Sequence, residues 1–164
     1  MKEITIYTDG ACIGNPGAGG FAAILISGKT KQELSGGFRL TTNNRMELLA
    51  AIVSLERLKE KSQVTLYSDS SYLVNGMEQG WAKKWRAKDW KKGKAENVDL
   101  WKRLLELCER HAVEFIWVMG HASNQYNNRC DWLSVQAAKG KNLPADEPYE
   151  KGETRRQAPT LFDM

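Results

Sequence analysis

Apolar and polar positions alternate along Ile4-Thr5-Ile6-Tyr7-Thr8-Asp9-Gly10, the period of a half-buried strand, and predict a first strand over Glu3–Cys12. The stretch Ile13-Gly14-Asn15-Pro16-Gly17-Ala18-Gly19-Gly20 is dense in turn formers and suits a hairpin connection. Two further runs, Phe21–Ser27 and Lys31–Leu40, read as strands joined by the turn Gly28-Lys29-Thr30, the second interrupted at Gly36-Gly37. Three strands with short links predict an antiparallel meander.

After Thr41 the period changes. Met46, Leu49, Ala50, Val53 and Arg57 recur at helical spacing and predict a helix over Arg45–Lys59, with Thr42, Asn43 or Asn44 as its cap. Leu48, Ile52 and Leu55 widen its apolar face, as expected of a helix lying on a sheet. Gln63–Ser68 is a short apolar strand between helices, which fits an interior parallel strand. Helices follow over Tyr72–Gln79, capped by Asp69 or Ser70, and over Val98–Arg110, with a lysine-rich segment between them. Val113–Met119 reads as a fifth strand, 120–125 as a loop and Tyr126–Lys139 as a last helix. From Gly140 on, three prolines, mixed charge and little apolar content predict a flexible tail over 140–164, beyond a domain of residues 1–139. The order β-β-β-α-β-α-α-β-α is that of an α/β fold: a mixed five-stranded sheet, three antiparallel strands then two parallel, flanked by helices.

Composition adds bounds. The 164 residues suit one domain, and 41% hydrophobic with 27% charged residues is ordinary for a globular chain. No apolar run of about 18 residues exists, so no membrane span is expected, and Met1-Lys2-Glu3 leads directly into the strand pattern without a signal peptide. Cys12, Cys108 and Cys130 are odd in number and widely spaced, which reads as free thiols in a reducing cytoplasm and not as a zinc site. A cytoplasmic monomer is expected.

The net charge of +4 conceals an asymmetry. Residues 81–94 hold Lys83, Lys84, Arg86, Lys88, Lys91, Lys92 and Lys94 against Asp89 alone, a local +6, while the rest of the chain carries −2 (17 basic, 19 acidic). A single basic limb on a neutral-to-acidic body points to a polyanion docked at that limb.

The acids carry the chemistry. Asp9 and Asp69 each close a predicted strand behind a small hydroxyl residue, Thr8 and Ser68; Glu47 opens the first long helix and Asp131 lies in the first turns of the last. In an α/β sheet, strand ends and helix starts meet at one edge, where ligands bind. Each acid alone would read as a cap or a turn former; four at one edge do not. Carboxylates converging without a basic partner raise one another's pKa. Hard divalent cations relieve this, and oxygen ligation favours Mg²⁺, with Mn²⁺ able to substitute, over zinc. Two ions about 3.5–4 Å apart suit an in-line phosphoryl displacement. His121, between Gly120 and Ala122 in a loop, titrates near neutral pH and is a candidate to handle the attacking water's proton or release product. His111, at the end of a predicted helix, reads as a dipole partner.

Binding groups complete the set. Lys83, Lys84 and Lys91 are candidate phosphate contacts. Trp81 is expected to pack, whereas Trp85 is a candidate for sugar or base contact, packing onto Trp101 being its other role. Cys12, Asn15, Thr42, Asn43 and Asn44 offer neutral donors and acceptors suited to 2′-hydroxyls and phosphates. Gly14, Gly17, Gly19 and Gly20 miss the dinucleotide-binding spacing, and no helix follows them.

Tyr7-Thr8-Asp9-Gly10-Ala11-Cys12, Gly14-Asn15-Pro16-Gly17, Thr41-Thr42-Asn43-Asn44-Arg45-Met46-Glu47-Leu48, Ser68-Asp69-Ser70, Asn97-Val98-Asp99-Leu100-Trp101 and Gly120-His121 with Asp131 together resemble bacterial-type ribonuclease H, type 1, collinearly over residues 1–139. The resemblance implies a ribonuclease H-like fold with a basic handle protruding at Trp81–Lys94. It implies a Mg²⁺-dependent endonuclease that cuts the RNA strand of RNA–DNA hybrids to 3′-hydroxyl and 5′-phosphate ends. It also implies Asp9, Glu47, Asp69 and Asp131 as metal ligands, assisted by His121. A non-catalytic binder of hybrid or duplex RNA is the alternative, which a complete acid set disfavours. Met119 where lysine is common, Ser71 where glutamine is frequent, and a Ser123–Asn128 loop without the usual proline and acids depart from the pattern. Beyond residue 139, Gln157-Ala158-Pro159-Thr160-Leu161-Phe162 loosely resembles peptides that bind bacterial sliding clamps, so docking to a replication protein through the tail is a further expectation.

Overall fold

The computed structural model describes residues 1–90, 95–120 and 124–155. Its centre is β1 (Lys2–Ile13), whose alternation puts Ile4, Ile6 and Thr8 on one face and Tyr7 and Asp9 on the other. β2 (Gly17–Ser27) and β3 (Thr30–Thr41) extend the sheet as the expected antiparallel meander, β2 running from Thr5↔Ile26 to Ile13↔Ala18 along β1. On its other side β1 pairs in parallel with β4 (Ser62–Ser68), and β4 in parallel with β5 (Ala112–Trp117). The order is β3-β2-β1-β4-β5, three antiparallel strands and two parallel ones.

Parallel neighbours need crossovers, and helices supply them. α1 (Asn43–Glu56) joins β3 to β4; α2 (Ser71–Glu78), α3 (Trp81–Ala87) and α4 (Val98–Arg110) join β4 to β5; α5 (Gln125–Ala138) follows β5. α1, α2 and α4 enclose the main core with Ile6, Leu66 and Phe115, while α5 covers β1–β3 on the other face over Ala22, Ile24 and Cys130. α1 starts two residues ahead of the hydrophobic period because Thr42 Oγ1 accepts from Arg45 N–H at 3.2 Å; Ser70 caps α2 in the same way, accepting from Leu73 N–H at 3.2 Å. Among the described residues, no helix is long and apolar enough to cross a membrane.

Gly36-Gly37 does not interrupt β3. Both residues pair with β2, and the Phe21 ring fills the space beside Gly36. α5 lies against the bare backbone: a Cβ on Gly37 would meet Ala137 O at 2.6 Å, and one on Gly20 would meet Ser134 O at 2.2 Å. These glycines are where a helix lands on the sheet.

The C-terminal segment also differs from expectation. Residues 140–155 are packed on the domain, not loose. Asp146 is buried and accepts from Arg45 Nε (2.7 Å) and Nη2 (3.1 Å) and from Thr41 Oγ1 (2.7 Å). Pro144 O accepts from Arg39 N–H (2.9 Å) and Thr154 O from Val98 N–H (2.8 Å). A short helix, α6 (Glu147–Glu150), sets Glu150 on Arg39 in a two-pronged pair. Low apolar content misleads here because the segment is held by a buried charge and by backbone hydrogen bonds. The stretch 157–162, with its expected docking peptide, lies outside the described residues.

His111 is not a dipole partner. Its buried Nδ1 accepts from Ser62 N–H at 3.1 Å, and burial, with Arg110 nearby, holds its pKa below the usual 6.5. The neutral ring ties the end of α4 to the start of β4. Cys12, Cys108 and Cys130 are free, as expected.

Candidate active site

β1 and β4 stay paired up to Tyr7↔Tyr67 and then part, so Asp9 and Asp69 emerge side by side, each two residues past the last pair. That divergence is the position at which an open α/β sheet takes its ligands. The hydroxyls ahead of the two acids secure the split ends: Thr8 Oγ1 donates to Tyr67 O at 3.3 Å, and Ser68 Oγ accepts from Ser70 N–H at 3.0 Å. Glu47 comes from α1, which reaches β1 only because residue 10 has no side chain. A Cβ on Gly10 would lie 2.6 Å from Glu47 N and 2.7 Å from Met46 C.

Oxygens of Asp9, Glu47 and Asp69 lie within 4.8 Å of one another. Asp131, on α5, lines the same open cleft of ≈ 500 Å³ and adds to the negative field at Asp9, but stands outside that tight set. Burial, reinforced by the neighbouring Asp69 charge, pushes the Asp9 carboxyl from 3.8 up to about 8, against the Gly10 N–H that donates to Asp9 Oδ1 at 2.9 Å. Burial, then Asp9 and Asp69, holds Glu47 well above the usual carboxylate range. Glu47 Oε2 is buried with no hydrogen-bond partner among the described residues. No lysine, arginine or histidine among the described residues lines the cleft. An orphaned carboxylate oxygen inside an all-oxygen, cation-free cluster fits a hard divalent ion, which Asp9, Glu47 and Asp69 could hold directly.

Two further residues shape this edge without having stood out in the sequence. The Trp117 indole N–H donates to Asp69 O at 3.1 Å although its ring is exposed, and Gly120 leaves room for the Asp69 carboxylate, which a Cβ would meet at 2.9 Å. Arg45 is the larger omission. Read only as a helix start, it is fully buried and bonded to Asp99 (2.8 and 2.9 Å), Asp146 and Asn97 two residues before Glu47. The available signal was an arginine at the root of an otherwise apolar helix.

The expected binding residues divide. Cys12, Asn43 and Asn44 line the acidic cleft, and Asn15, Thr42 and Asn44 line the one beside it. Part of their capacity is spent internally. The Cys12 thiol donates to Thr41 O (3.5 Å), Asn15 Oδ1 accepts from Asn43 N–H (3.1 Å), and Thr42 caps α1. Lys83 and Lys84 are exposed on α3. Of the tryptophans, Trp85 takes the packing role and Trp81 differs from expectation. Ala82 and Trp85 form the stripe facing α4, so Trp85 packs edge-on to Trp101 (5.8 Å), while Trp81 is exposed. His121 and Lys91 lie outside the described residues, as does the rest of the expected handle at 91–94.

A family model described as RNase H matches residues 1–139. Among curated relatives, a ribonuclease H of Rippkaea orientalis is 59% identical over 152 residues, covering 91% of this chain and 93% of its own. One of Desulforamulus reducens is 61% identical over 149 residues, covering 89% and 94%. Among solved structures, LC9-RNase H1, described as a type 1 RNase H with the type 2 active-site motif, superposes with a TM-score of 0.78 at 25% identity, over 99% of this chain and 90% of that one. LC11-RNase H1, solved in complex with an RNA/DNA hybrid, superposes with a TM-score of 0.64 at 26% identity, over 83% and 96%.

Proposed function

The chain belongs to the ribonuclease H family, and on that premise we propose that it is a Mg²⁺-dependent endonuclease acting, as a monomer, on the RNA strand of RNA–DNA hybrids to leave 3′-hydroxyl and 5′-phosphate ends. The observation that carries this reading is the cluster of Asp9, Glu47 and Asp69, in a cleft that no basic side chain among the described residues lines. Bound there, Mg²⁺, as two ions and with Mn²⁺ able to substitute, would supply an activated water and offset the charge of the phosphodiester. Asp9, Glu47 and Asp69 would hold the ions, with Asp131 contributing from α5. His121 would handle the attacking water's proton or product release.

Asn43 and Asn44 at the start of α1 would contact 2′-hydroxyls across the minor groove, which selects RNA at the cleft. Lys83, Lys84 and Lys91 would hold the backbone at a distance from the chemistry, with the exposed Trp81 beside them. The relative solved with a bound RNA/DNA hybrid supports this substrate class.

The test is cleavage of an end-labelled RNA–DNA hybrid beside duplex DNA, duplex RNA and single strands, in Mg²⁺ and in EDTA. Cutting of the RNA in the hybrid alone, abolished by EDTA and restored by Mg²⁺, is the expected result. An intact hybrid, or equal cutting of every substrate, refutes the proposal.

A further inference from the structure

Beside the acidic cleft lies a second one of ≈ 470 Å³. Asn15, Thr42 and Asn44 line one side, and Tyr149, Thr154 and Arg155 line the other. Asn44 lines both clefts, so they are neighbours. The first wall is built from the loops already proposed to meet the hybrid. The second is built from the C-terminal segment, to which the catalytic reading gives no task.

That segment is anchored at several points: Asp146 on buried Arg45, Glu150 on Arg39, and Thr154 O on the N–H of Val98. Arg155 follows directly and reaches Glu96 at the lip of the cleft, with both side chains 58% exposed. An exposed pair of this kind contributes little, because water solvates both partners well. A phosphate offers the guanidinium fork a two-pronged, charge-assisted contact that a single exposed carboxylate does not better. Exchange of Glu96 for phosphate therefore meets little resistance. Opposite, Asn15, whose Oδ1 is taken by Asn43 N–H, and Asn44 line the same cleft and bring side-chain amides to it.

We propose that the C-terminal segment is one wall of the nucleic-acid cleft and that Arg155 leaves Glu96 to bind a backbone phosphate of the hybrid away from the scissile one, with the Tyr149 and Thr154 hydroxyls lining the same subsite. This rests on the reading of the chain as a hybrid-cutting nuclease.

The experiment measures equilibrium binding of a fluorescent RNA–DNA hybrid in EDTA across a salt series, together with KM and kcat in Mg²⁺. It uses the full chain and its Arg155→Ala, Arg155→Lys and Glu96→Gln variants, each checked for an unchanged melting curve. Arg155→Ala weakens binding about fivefold, flattens the salt dependence by roughly one counterion, and raises KM at constant kcat. Arg155→Lys restores the salt slope, and Glu96→Gln tightens binding by releasing the arginine. Unchanged affinity and salt slope in Arg155→Ala, in a wild type that still cuts the hybrid, overturn the subsite and leave the functional reading standing. A wild type that neither binds nor cuts the hybrid removes both.

Discussion

Asp9 is held where a carboxylate is least comfortable: nearly buried, beside two more acids, with one backbone N–H for company. The consequence is measurable without substrate. In metal-free protein below about pH 3 the carboxyl is mostly neutral in both folded and unfolded chains, so it carries little penalty. As pH rises from 3.8 towards 8 the unfolded chain ionises while the folded one does not, and stability falls through that window before levelling off. Asp9→Asn removes the titration. In EDTA it raises stability at pH 8 on the order of 3 kcal/mol, roughly 6–12 °C in Tm, and does little near pH 3. Thermal melts of the two proteins across this range check it; a difference independent of pH contradicts the assigned cause. Catalysis runs the other way. Asp69→Asn abolishes turnover, by about 10⁴-fold or more, whereas His121→Ala slows it by about 10²-fold; steady-state rates on a hybrid give the ranking, and equal residual rates contradict the two roles. The acids were readable because each ends a strand or begins a helix, and such ends converge. Their unequal spacing, with Asp131 set back from the other three, depends on how α5 lies on β2 and β3, which residue patterns do not carry.

Among the elements, α3 and α5 show what periodicity can and cannot supply. The basic run was legible as charge, but which indole faces inward was not. Two tryptophans one turn apart share a face, and the small Ala82 beside Trp85 decides which side of that face meets α4. Likewise Gly36-Gly37 looked like a break because a glycine pair weakens an isolated strand; here the neighbours β2 and α5 supply what the side chains lack. The exposed lysines of α3 lead to a prediction at this scale. Replacing Lys83 and Lys84 together by alanine raises KM for the hybrid about three- to tenfold and flattens its salt dependence by roughly two counterions, with kcat nearly unchanged. A kcat that collapses at constant KM would place α3 in the chemistry instead.

For the whole molecule, the C-terminal segment is the part composition described worst. Fold class and the change from antiparallel to parallel pairing follow from alternation and link lengths, because short links force antiparallel neighbours and helices allow parallel ones; that β4 docks beside β1 does not. A polar strap clamped by Asp146 on Arg45 leaves no such pattern. It is nevertheless structural. Asp146→Ala strips a buried guanidinium of one of its two carboxylates and costs about 3 kcal/mol, or roughly 6–12 °C in Tm. Urea or thermal unfolding measures this, and a loss under about 0.5 kcal/mol would mean that Asp99 alone suffices.

The same pair also sets a clock. Arg45 and Asp146 are 101 residues apart in the chain, and a ribosome adding about 5–20 residues per second separates their synthesis by roughly 5–20 s. Through that interval the helix that carries Glu47 has its arginine made and the carboxylate of Asp146 still to come. The nascent chain can lay down its sheet in order, but it closes over Arg45 only once Asp146 has been made. The first helix is thus completed by a segment made long after it.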